Sequence, residues 1–129
     1  MKNSGDISDY YVTEQPSATQ LLRGIYYEDG ITLTDINEAN LSDIEYFILT
    51  LALYEDARTD KETILTLIGL KKRQYVNNPF NLTILTKLEE RICKKRTMLE
   101  KDYYLEYITI LEQLEQWKNL RVVSGGRKA

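Results

Sequence analysis

Apolar and polar positions first recur with helical period between Ser42 and Tyr54, where Ile44, Phe47, Ile48, Leu51 and Tyr54 follow one another at steps of three or four. Two start signals agree there. Ser42 and Glu45 have the spacing of a capping box, and Leu41 and Tyr46 can close a hydrophobic staple around it. Leu49 and Leu53 fall outside the main stripe, so a second side of this helix is predicted to be covered. A further capping box, Thr59 with Glu62, restarts a helix whose stripe is Ile64, Leu67, Ile68 and Tyr75. It ends in Lys71, Lys72 and Arg73, cations suited to the negative end of a helix dipole.

Asn77-Asn78-Pro79 then reads as a turn, with Asn78 as N-cap and Pro79 at the first helical position. No Gly or Pro follows until the end of the chain nears, which predicts one helix over about 79–120, about 60 Å long. Leu88, Leu99 and Ile110 are spaced by eleven, as are Ile92, Tyr103 and Leu114, a period that favours a nearly straight packing stripe over a heptad seam. Upstream, Ser17 and Gln20 form a capping box before Leu21 and Leu22. Asp29-Gly30, between Ile25-Tyr26-Tyr27 and Ile31-Thr32-Leu33, has the signature of a short β-hairpin. The predicted fold is therefore all-α, two shorter helices packed on one long C-terminal helix. The predicted divisions are a disordered acidic tail over 1–16, holding Tyr10-Tyr11-Val12, an extended or short-helix docking segment over 17–39, a helical domain over 40–121, and a disordered tail over 122–129.

From Tyr103 to Leu111 the long helix is apolar on nearly every side, and the two shorter helices do not reach far past its middle. Something else must cover it. The pattern thus predicts a larger protein partner, and so a hetero-oligomer, docking on Met98, Tyr103, Tyr104, Leu105, Tyr107, Ile108, Leu111, Leu114 and Trp117, with Tyr26 and Tyr27 in a second contact. A second copy of the chain, giving a homodimeric spacer, and the N-terminal segment folding back are the other ways to shield this surface.

Composition narrows the chemistry. The chain has no histidine and one cysteine, Cys93, so neither a Ser/His/Asp triad nor a His/Cys zinc site can be assembled within it. Cys93 reads as a small residue on a helix face. The carboxylates Glu89-Glu90 and Asp56 with Asp60 sit at helical spacing and read as solvated surface, and Gly24, Gly30 and Gly69 are too isolated for a phosphate loop. A non-enzyme without cofactor, metal or small-molecule substrate is predicted. Ten tyrosines in 129 residues favour half-buried and interface positions.

The net charge of −3 hides a segregation. Met1 to Asp43 carries two bases against eight acids, and Gly69 to Lys101 nine bases against three acids. Lys71, Lys72 and Arg73, with Arg91, Lys94, Lys95 and Arg96, are predicted to meet at one end of a helical hairpin, a patch able to follow phosphates or an acidic protein surface. A pI near 5.1 and the lack of a DNA-binding motif favour the protein surface over nucleic acid. The polar first residues, and no run approaching about 18 apolar residues, predict a soluble intracellular protein without membrane contact. Small size, polar ends and richness in Asn, Ile, Lys, Leu and Tyr give the chain the look of accessory subunits in chromatin-remodelling or transcription complexes, hence a nuclear location.

Overall fold

The structure, a computed structural model, describes residues 16–54, 60–95 and 99–128, with side chains of the last helix described as far as Lys118. Six helices make up the described residues: α1 (Ala18–Tyr26), α2 (Leu33–Glu38), α3 (Asp43–Leu53), α4 (Lys61–Gln74), α5 (Pro79–Cys93) and α6 (Glu100–Lys128). The all-helical bundle read from the pattern is what forms. Its starts follow local chemistry: Ser17 and Ser42 each accept from the third backbone N–H while Gln20 and Glu45 reach back, and Asn78 accepts from the Asn81 N–H ahead of Pro79. The basic last turn of α4 is in place. Thr59, the predicted cap of α4, lies outside the described residues. Asp60 precedes that helix without capping it through its side chain.

Two elements differ from the pattern. The predicted hairpin over 25–33 is instead the end of α1, a turn and the start of α2. Glu28 takes a positive φ of 58°, its N–H bonding to the Ile25 carbonyl, while the Asp29 N–H returns to the Gly24 carbonyl at 2.8 Å. These bonds are a Schellman close to α1. A two-residue type I′ hairpin turn would need positive φ at Asp29 and Gly30, and here only Gly30 of that pair has it. On the far side Thr32 and Asp35 form a reciprocal capping box that opens α2.

The second correction concerns the long helix over 79–120, which is two helices broken between Lys94 and Leu99. No Gly or Pro makes the break. Arg91, Lys94 and Lys95 crowd positive charge at three- and four-residue spacing, which a continuous helix would leave in mutual repulsion. Ending α5 there puts those cations at its negative pole, and Leu99 restarts α6 with its N–H donated to the Asp102 carboxylate at 2.8 Å. Folding back is the larger gain. It buries Tyr103, Tyr107, Ile110, Leu111 and Leu114, each contributing about 1.5–3 kcal/mol on leaving water. Leu99, which the eleven-residue period placed in the seam, is 73% exposed. The backbone of α6 stays helical to Lys128, past the predicted tail start at Val122; Gly125 and Gly126 cost about 1 kcal/mol each, too little to end a helix already formed.

One core joins the elements from Ala18 to Leu114. α6 lies at its centre, flanked by α1, α3 and α5, while α4 packs on α5 and α2 on α3. α1 covers α6 through Ala18, Leu21, Leu22 and Ile25, a stripe of helical period. Two polar ties fix it: the Thr19 hydroxyl donates to Glu115, and Arg23 pairs with Glu112. Lys118 on α6 reaches the capping carboxylate Glu45 of α3 at 3.3 Å.

Candidate protein-docking groove

α3 and α4 follow one another in the chain, but α3 packs mainly on α1 and α6 and α4 mainly on α5. Between them is a groove of about 590 Å³, lined by Leu33 of α2, by Tyr46, Phe47, Thr50, Leu51 and Leu53 of α3, by Tyr54 just past its end, and by Leu67 of α4. α3 forms one whole wall because it is apolar around its circumference. Ile44, Ile48, Leu49 and Ala52 enter the core, and Phe47, Thr50 and Tyr54 recur on the side left over.

Two of the polar side chains at the groove, Thr50 and Tyr46, are engaged within the chain. The Thr50 hydroxyl donates to the Phe47 carbonyl at 2.7 Å, so its methyl is what remains to offer. Tyr46 donates its hydroxyl to Asn37 at 2.7 Å. At one end the Lys71 ammonium lies 5.6 Å from the centre of the Phe47 ring and 5.4 Å from that of Tyr75, and pairs with Asp43 at 3.1 Å. Tyr75 also donates to Asp43. That hydrogen bond first, then Lys71, holds the Asp43 carboxyl below its ordinary range. Burial and the same carboxylate push the Tyr75 phenol up. What stays open is the Leu33 side chain, 50% exposed, and Tyr54, 48% exposed with its hydroxyl unengaged among the described residues.

The stretch that supplies the α2 and α3 side is acidic in sequence, but none of its carboxylates lines the groove, and Glu28, Asp43 and Glu45 pair with Lys101, Lys71 and Lys118. From Gly24 to Tyr54 there are six carboxylates, Glu28, Asp29, Asp35, Glu38, Asp43 and Glu45, and no Lys or Arg. On the α4 side, Lys61 donates to the Cys93 and Lys95 carbonyls, Lys71 pairs with Asp43, and Lys72 pairs with Glu89 at 2.8 Å.

The partner residues read from the sequence fall mostly elsewhere. Tyr103, Tyr104, Tyr107, Leu111 and Leu114 are interior residues of this same chain, Ile108 and Trp117 are half-buried, and Leu105 is exposed. Trp117 meets Phe80 edge to face at 5.9 Å, with Lys87 over its ring. Tyr26 is half-buried against Tyr27, and Lys101 sits over its ring. Met98 lies outside the described residues. The premise that α6 shows more apolar circumference than its own chain can shield is thus corrected: α1 folds back and shields it.

The basic residues are not gathered at one end either. Lys61, at the start of α4, touches the end of α5, so Lys71 to Arg73 sit at the other end of the α4–α5 hairpin, about 15 Å along the helix. Arg91 and Lys95 converge on the nearly buried Glu106 of α6 instead. Arg73 and Lys94 are exposed, and Arg96 is outside the described residues. Among the described residues no group of three or more His, Cys, Asp or Glu is placed to hold a metal ion, and no helix is long and apolar enough to cross a membrane.

These features define a small all-helical bundle with a mostly apolar cleft between α3 and α4. Searches of protein-family models, of curated proteins and of solved structures find no match to the chain. One signal for the groove was present in the sequence: the second apolar side of the helix opening at Ser42.

Proposed function

We propose that the chain is a non-catalytic docking subunit of a larger protein assembly, and that a partner protein seats in the groove between α3 and α4. The observation carrying this reading is the groove itself, whose lining is mostly apolar. Its volume falls within the range of ordinary binding clefts, about 300–1,000 Å³. No histidine and no pair of converging carboxylates accompany it, so the reading assigns it binding and no reaction. The composition adds the setting, a nuclear assembly acting on chromatin or transcription, which fluorescence localisation of the tagged chain checks.

The basic-patch reading, contact with nucleic acid, has less to support it, because its cations are divided between two ends of a hairpin and several face carboxylates. The deciding experiment is crosslinked affinity purification of the tagged full-length chain from its own cell. Wild type is compared with the double variant Leu33→Lys/Tyr54→Lys and with Leu105→Lys on the outer face of α6. Partners captured by wild type and Leu105→Lys but lost by the double variant, with all three equally helical by circular dichroism, are the expected result. An unchanged partner set in the groove variant removes the proposal.

A further inference from the structure

We draw no further inference here: the strongest candidate, the cleft between α1 and α2 that Leu21, Asp29, Ile31, Asp35 and Glu38 line, is an acidic cluster beside a small apolar floor, and nothing in the structure shows what would occupy it.

Discussion

Tyr107 is the one side chain among the described residues whose burial leaves a polar atom without a partner. Its ring is 1% exposed in the middle of α6, and its hydroxyl meets no acceptor. Burial, reinforced by the neighbouring Tyr103 and Tyr104, drives its phenol far above the ordinary value, so it stays protonated and its O–H remains a donor with nothing to bind. A hydroxyl removed from water without compensation costs about 1–3 kcal/mol. Tyr107→Phe deletes that cost and keeps the ring, so the variant is expected to gain about 1 kcal/mol, read as a higher urea midpoint at unchanged slope. A loss of stability instead would mean that the hydroxyl has an acceptor in solution. The contrast with Tyr75 is instructive, since that tyrosine is also buried yet reaches Asp43.

At the scale of elements, Asp43 links three features: it opens α3, accepts from Tyr75 beyond α4, and pairs with Lys71. Its carboxyl titrates lower in the folded chain than its ordinary 3.8. The charged form is therefore favoured by folding, and its contribution is fully present above the unfolded value and lost as pH falls through the lowered folded value. Asp43→Asn should thus be less stable than wild type by a constant amount above about pH 5, and the gap should close below about pH 4. Because Asp43 is largely exposed, the gap is expected to stay under about 1 kcal/mol. A gap that persists at low pH would assign the effect to the amide's shape rather than to charge. The groove end also depends on this residue, since Asp43 anchors Lys71 over Phe47.

Elements marked by local chemistry were the ones legible in the sequence. The capping boxes at Ser17 and Ser42 and the Asn78-Pro79 start place three helix beginnings correctly, because a cap is a bond between residues three apart. The break at Lys94 to Leu99 was not legible, because no residue there forbids a helix. It forms where charge repulsion and the gain from folding back act together, and the second of these is tertiary. The turn at Glu28 was hidden for a similar reason: Asp29-Gly30 fits a hairpin locally, while Gly24 packs so close to Ile31 that a Cβ there would meet Ile31 Cγ1 at 2.7 Å. That contact fixes the end of α1 against the chain that follows it. The groove was half legible, its apolar wall visible in α3 and its openness dependent on where α4 goes.

For the whole molecule the question is what shields α6. Read from the sequence, its apolar circumference asks for a foreign surface; in the fold, α1 supplies one from within, with Leu22 fully buried between α3 and α6. The two accounts differ in a way that single substitutions measure. If α1 is part of the core, Leu22→Ala opens a cavity and costs about 2–5 kcal/mol, while Leu105→Ala, on the exposed side of α6, changes stability by less than about 0.5 kcal/mol. Both are read from urea unfolding of the isolated full chain followed by tyrosine fluorescence and by circular dichroism, which should give one coincident transition. Equal small effects at Leu22 and Leu105 would mean that α1 is loosely attached and α6 is free for a partner. A large effect at Leu22 alone makes the bundle self-sufficient, which removes the case for a partner on α6 and leaves the proposed docking to the cleft between α3 and α4, whose rim residues Leu33 and Tyr54 lie outside the core.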